Sequence, residues 1–295
     1  MISVTRNFKN AALLASTILL TGVTSLPALA VNNIAAVKAR GYMIVATEDD
    51  YSPYNFMVNG QPKGFHNDLL ADLKAFAKTN GFEIRQEILP WTGLLAAVSS
   101  GQYDIAFTGA LVTDDRLRVL DFTPPFASAQ HYFVKLKGDK TITEQVKSLC
   151  GKTLGVQGGS AFEARLPELI KKLNGAGCGI GEVKKYQTDT EAYIDLSNRR
   201  VDYVINSLIA VNDLMKTRSG TFEKGFAVSG GGFNAWPVPK NNPTVLRFYT
   251  EFMDSVRKSG RLAELQKKWF GEEFPSLPLQ PITSVEQFHK LADIN

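Results

Sequence analysis

Apolar residues recur at helical spacing through Leu69, Leu70, Leu73, Phe76 and Ala77, and the stripe stops at Gly81. On either side lie short runs of a different kind, "YMIVAT" before the helix and "FEIRQEI" after it, which read as strands. The alternation continues with a helical "TGLLAAVSSG" and a strand "YDIAFTG". It restarts after residue 150 as "KTLGVQ", the helix "SAFEARLPELIKKL", the strand "EVKKYQ", the helix "TEAYIDLSNR" and the strand "VDYVIN". Strand and helix taking turns in this way predict an α/β fold built on mainly parallel sheets.

Two α/β units in succession imply two lobes. Between them "FASAQHYFVKLKG" carries no helical pattern, nor does the later "FAVSGGGFNAWPVPK". These segments are predicted to cross between the lobes, so that the helices "NPTVLRFYTEFMDSVRKSG" and "RLAELQKKWFG" return to the first. The division expected is residues 31–128 with 232–295 against 129–231. Gly230, Gly231 and Gly232 suit a hinge that absorbs backbone rotation, and equally an ordinary flexible loop. The proline-rich tail from Glu272 is expected to run extended over the surface.

The first thirty residues stand apart. Arg6 and Lys9 precede the apolar run Ala11 to Leu20, and Ala28-Leu29-Ala30 follows, the layout of a secretory signal peptide with a small-x-small cleavage site. The run is shorter than the roughly 20 residues that a spanning helix needs. Cleavage after Ala30 is expected to release the rest of the chain into the periplasm. Arg6 and Lys9 are two of the 33 basic residues, so 31 remain against 29 acidic ones and the net charge falls from +4 to +2. Basic residues come in short pairs mixed with acids, which argues against a nucleic-acid partner. Cys150 and Cys178 each sit just before a predicted strand, and in an oxidising compartment a disulfide between them is expected. Two cysteines without a CxxC spacing offer too few ligands for a metal site, and no cofactor is implied.

Six segments then stand in a telling order: "TEDDYSPYNF", "GQPKGFHNDLLADL", "LPWTGLLAAVSSGQYDIAFTGALVTDDRLRVLDFTPPF", "CGKTLGVQGGSAFE", "RRVDYVINS" and "LAELQKKWFG". Over about residues 41 to 271 the chain resembles the polar amino-acid family of type II periplasmic binding proteins. That resemblance implies two lobes joined by a two-segment hinge, a small carboxylate-bearing ligand held by closure of the cleft, a membrane ABC permease as partner, and a monomer. It also implies a site. Arg116, in "TDDR", falls where the family grips the ligand carboxylate, a role suited to a planar guanidinium. Without the resemblance, Arg116 reads first as part of a surface charge cluster with Asp114, Asp115 and Arg118.

Ser160 opens "SAFE", a capping-box pattern with Glu163, and in the family the amides at such a helix start, that of Ala161 here, face the cleft. Tyr51 and Trp91 match positions that stack against the ligand, although either would also pass as core. Thr108 and Gly109 complete the first-lobe wall, and Glu48 falls where some members read the distal end of the ligand. Two residues depart from the pattern. Ser207 replaces the aspartate that meets the ammonium of a free α-amino acid, and Leu111 replaces a common Ser or Thr. A hydroxyl supplies no countercharge. The expected ligand is therefore a carboxylate whose amine is absent, substituted, or matched by another acid such as Glu48. Two other function classes share this fold. Periplasmic cyclohexadienyl dehydratases resemble the family, but His66, His131 and His289 are scattered without a partner pattern, leaving Glu48 as the obvious acid for such chemistry. A ligand-sensing accessory protein would have the same cleft.

Overall fold

The computed structural model describes residues 33 to 293, so the expected signal peptide lies outside the described residues. Strand Tyr42–Glu48 is the centre of the first sheet, with Glu83–Leu89 parallel on one side and the short Ile105–Ala106 parallel on the other. Helix Phe65–Thr79 lays Leu69, Leu70, Leu73 and Ala77 on the core, as their spacing requires. Asn80 caps it, and Gly81 follows at φ 87°, a left-handed turn that favours glycine. Helix Pro243–Lys258 buries Val245, Leu246, Phe248, Tyr249, Phe252, Met253 and Val256 in the same core. At its heart Trp236 packs on Phe107 and Phe126. His66 is fully buried in this aromatic nest, and burial lowers its pKa to about 3, so the ring is neutral packing.

The second sheet runs Val183–Tyr186, Leu154–Gln157, Tyr203–Ser207, His131–Leu136, Phe222–Ala227 in spatial order. Its first three strands are parallel and the last two join antiparallel. The expected parallel pattern therefore holds where helices intervene and gives way where the chain enters and leaves. Two segments cross between the sheets, Ala127–Ala129 and Gly232–Asn234, and they pair antiparallel with one another. The glycine run beside them is held in place: Arg165 donates to the carbonyls of Gly230 and Gly231, and Glu168 accepts from the amide of Gly230 at 2.7 Å.

Three local outcomes depart from the sequence pattern or refine it. The single helix expected over "SAFEARLPELIKKL" is two, Ala161–Ala164 and Leu166–Gly175, with the break at Arg165. Pro167 is the cause, since it has no N–H and its ring would crowd the carbonyl four residues back. The tail is extended only in part: Ile282 bridges to Phe122, then Val285–Ala292 forms a helix capped by Ser284, with Phe288 buried beside Leu117. Val285, Phe288 and Ala292 carry a helical spacing that the prolines upstream obscured. Cys150 and Cys178 form a disulfide with Cα atoms 5.7 Å apart, because parallel pairing of Leu154–Gln157 with Val183–Tyr186 aligns the two strand starts.

The 28-residue separation between those cysteines gives a loop-entropy stabilisation of about 3.5 kcal/mol. Replacing both with serine should lower the free energy of unfolding by about that amount in a denaturant titration. Reductant should then have no further effect on the variant.

Candidate functional site

The site grows from strand ends. Glu48 is the last residue of strand Tyr42–Glu48, Tyr51 ends the short strand Asp50–Tyr51 that follows, Trp91 comes after Glu83–Leu89, and Gly109 after Ile105–Ala106. Across from them stand Gln157 at the end of one second-sheet strand, Ser207 at the end of another, and the helix start at Ser160. In open parallel sheets the loops at the carboxyl ends of the strands are where ligands bind. These residues face a common space of about 330 Å³.

Arg116 sits in helix Asp114–Val119, where the Thr113 hydroxyl caps the Arg116 amide. Its Nη1 donates to the carbonyl of Leu111 at 2.8 Å, and its guanidinium carbon lies 5.1 Å from the Trp91 ring. Among the described residues no carboxylate pairs with it. Asp115 is taken by Arg118, and Asp114 by His289 at 2.9 Å, so the surface charge cluster forms without Arg116. Burial pulls the Arg116 pKa down to about 10, which leaves it charged near neutrality.

Glu48 is buried and hydrogen-bonded by the Thr108 hydroxyl. Thr108 itself does not line the space: it is fully buried and also accepts from the amide of Gly109, at 2.7 Å. Its role is to hold Glu48 in place. Burial pushes the Glu48 carboxyl up to about 8, the Thr108 hydrogen bond opposes this in part, and Asp189, Asp49 and Asp50 add to the rise. A Cβ on Gly109 would stand 2.7 Å from the Tyr51 ring, so only glycine lets the wall approach this closely.

The Tyr51 hydroxyl donates to Ser207 Oγ at 2.9 Å, and the Tyr51 ring meets Phe162 edge-on. Ser207 caps helix Leu208–Thr217 by accepting from the amide of Ala210. Trp91 is a half-buried wall residue that also packs on the core behind it. Ser160 caps the short helix Ala161–Ala164: its hydroxyl accepts from the Glu163 amide and donates to the carbonyl of Gln157 at 2.6 Å. The Glu163 carboxylate reaches the amide of Gly159 at 2.8 Å, one residue further out than in a true capping box. Ala161 lines the space at the first helical position, where an amide has no intrahelical acceptor.

Eight of the nine residues expected to meet the ligand thus share one space. Ala110, His131, Gln157, Phe162 and Asn234 also line it and were not expected from the sequence. Gln157 was findable as the last residue of a strand ahead of "GGS". His131, read as scattered, opens the strand that enters the second sheet and lies edge-on to Phe162. Burial, then Arg165 and Arg116, push its pKa well below the ordinary value, so it stands here as a neutral ring. Contacts across the space show it shut: besides Tyr51–Ser207, Asp50 accepts from Thr190 Oγ1, Ser52 donates to Asp213 and Thr92 donates to Gln187, each at 2.8 Å.

A two-lobed α/β chain with its polar residues gathered in the closed cleft is a solute-binding protein of the type II periplasmic binding fold. Residues 43–272 match the model of the bacterial extracellular solute-binding proteins, family 3, and the chain belongs to that family. It is 28% identical to the L-cystine-binding protein of Escherichia coli K12 over 242 residues, 80% of this chain and 85% of that one. An ancestral arginine-binding protein solved with arginine superposes with a TM-score of 0.68 at 29% identity, covering 79% of this chain and 99% of the other. A mutant of the arginine-binding protein of T. maritima gives a TM-score of 0.70 at 25% identity, covering 81% and 99%.

Because the folded Glu48 titrates near 8 and the unfolded residue near 4.5, the ligand-free protein keeps a proton that the unfolded chain has lost. Its stability should therefore fall as pH rises from about 4.5 to 8, by at most about 1.4 kcal/mol per pH unit from this group. Unfolding titrations at several pH values should show a shallower fall for Glu48→Gln. A slope unchanged by the substitution would mean that Glu48 does not titrate in this way.

Proposed function

We propose that the chain is the periplasmic binding component of an ABC importer, freed by cleavage after Ala30, and that its cleft shuts around a small carboxylate-bearing metabolite, an amino acid or a derivative of one. The observation that carries this reading is Arg116: a guanidinium facing the cleft, oriented by one backbone carbonyl and a Trp91 face, with no carboxylate partner among the described residues. Its remaining donors suit two carboxylate oxygens. The amide of Ala161 adds a donor from the opposite wall, while Tyr51, Trp91 and Phe162 supply apolar faces.

We take the lobes to divide as residues 31–128 with 232–295 and 129–231, so that Arg116 and Ala161 belong to different lobes and meet one anion only when the cleft is shut. A ligand favours closure only through contacts made better in the closed state, and this pair makes such a contact. The relatives' names point to amino acids, including cystine and arginine. At Ser207 this chain has no acid for an α-ammonium, so we assign the cationic end to Glu48, which lies buried in the same space and shares no salt bridge there among the described residues. Protonated when the cleft is empty, Glu48 would lose its proton to bulk solvent as a ligand cation arrives to pair with the carboxylate. The protein is read as binding without chemistry; aromatic product from added prephenate would overturn that part.

Arg116→Ala should weaken binding of every carboxylate ligand by about 100-fold or more, the usual scale for removing one member of a buried charge pair. Arg116→Lys should recover part of the loss, because an ammonium keeps the charge without the fork. Calorimetry with free amino acids, their deaminated acids and N-substituted forms checks both. Full affinity in Arg116→Ala would end the proposal.

A further inference from the structure

Behind Tyr51 lies a second chamber that the site described above does not use. It is open to solvent on one side and spans about 630 Å³ with that opening counted, and its walls include Asp50, Ser52, Asp189, Tyr193, Asn206 and Asp213. Tyr51 borders both spaces. Three carboxylates face this chamber against one cation, Arg218. Two of the three are engaged at the rim: Asp50 holds the hydroxyl and amide of Thr190, and Asp213 accepts from Ser52.

Asp189 differs from both. It is 6% exposed, its Oδ2 accepts from Asn206 Nδ2 at 2.8 Å, and its Oδ1 is buried with no partner. Asn206 spends its amide on Asp189 and Tyr193, and its carbonyl accepts from the amide of Ser207. No hydrogen bond reaches Oδ1 from the described residues, Arg218 and the Tyr193 hydroxyl included, and an unmet buried carboxylate oxygen is costly. The chamber is not built for an anion, because the amides at the start of helix Asp189–Ser197 are already capped by Thr188 and bonded to Asp50. Nor is it built for a divalent metal: among the described residues no three His, Cys, Asp or Glu side chains converge as ligands would. A primary ammonium, with three donors and one positive charge, fits what remains.

We propose that this acidic chamber is a cation subsite that takes a primary ammonium group, with Asp189 Oδ1 as its principal acceptor. The idea rests on the carboxylate reading only for its geometry: a ligand pinned by its carboxylate at Arg116 and long enough to pass Tyr51 would place an amine here. Burial pushes the Asp189 carboxyl up to about 7, with Asn206 opposing and Asp50 adding, so the empty chamber holds a group ready to ionise against an arriving cation. The chamber also supplies a negative charge on the Ser207 side of the cleft, where the serine itself supplies none.

Calorimetry of the purified protein with matched pairs tests this: butanoate and 4-aminobutanoate, hexanoate and 6-aminohexanoate, octanoate and 8-aminooctanoate, with n-butylamine alone as a separate arm. At one or more lengths the ammonium-bearing acid should bind about tenfold or more tightly than its partner. Asp189→Asn should bring that ratio to within about twofold while leaving the plain acids unaffected. Saturable butylamine binding that Asp189→Asn abolishes would identify a free amine as the occupant and supports the subsite equally. Should Asp189→Asn fail to fold, Asp213→Asn at the rim should still cut the ratio about threefold. No preference for the ammonium at any length together with no butylamine binding, or a preference unmoved by Asp189→Asn but lost in Glu48→Gln, would overturn it. Plain acids that fail to bind, beside butylamine that does bind through Asp189, would instead defeat the Arg116 reading and leave this one standing.

Discussion

A positive charge held in a closed cleft with no salt-bridge partner among the described residues is the constraint around which this molecule is arranged. Arg116 has lost much of its water, yet no protein carboxylate is in salt-bridge reach of it among the described residues. A buried guanidinium in that condition is stable only because the Leu111 carbonyl and the Trp91 face offset part of the lost hydration. The fold leaves Arg116 this way by engaging the acids beside it elsewhere, Asp115 with Arg118 and Asp114 with His289 from the C-terminal helix. The tail helix Val285–Ala292 thus serves more than packing, since its His289 occupies a carboxylate two residues from Arg116.

On the other side of the cleft the problem has the opposite sign. Glu48 and Asp189 are both buried acids raised toward neutrality mainly by loss of water, with Asp189 adding to the rise at Glu48 and Asp50 to the rise at Asp189. The closed cleft therefore holds a cation with no salt-bridge partner among the described residues, together with two acids that burial keeps partly protonated near neutrality. A ligand carrying both charges in the matching order relieves both at once. Closure then needs no special device beyond the hydrogen bonds at the rim, from Asp50, Ser52 and Thr92, which are individually weak.

The scaffold holds these groups by ordinary means. Each sheet ends its parallel strands at the cleft, so the residues that finish them, Glu48, Gln157 and Ser207, are placed there by strand length alone. Thr108 and Gly109 then fix the wall: the threonine orients Glu48, and the glycine lets Tyr51 come close enough to reach Ser207 across the gap. The disulfide joins two strand starts at the far end of the second sheet, away from the strand ends that build the site.

Local pattern carried much of this in the sequence. Alternating strand and helix periods determined the α/β class and the restart after residue 150, because periodicity is a property of neighbouring residues. The capping serine at 160, the glycine stop at 81 and the aligned cysteines were legible for the same reason. Pro167 breaking a helix, and the helix hidden in the tail, were also local signals, masked by stronger patterns beside them. What neighbours along the chain cannot specify is which charges remain unpaired. Whether Asp114 meets Arg116 or His289, whether His131 faces a core or a cleft, and whether Asp189 finds a second partner depend on residues far apart in sequence. Only the tertiary structure decided those, since desolvation and counterion distance exist only once the chain has folded.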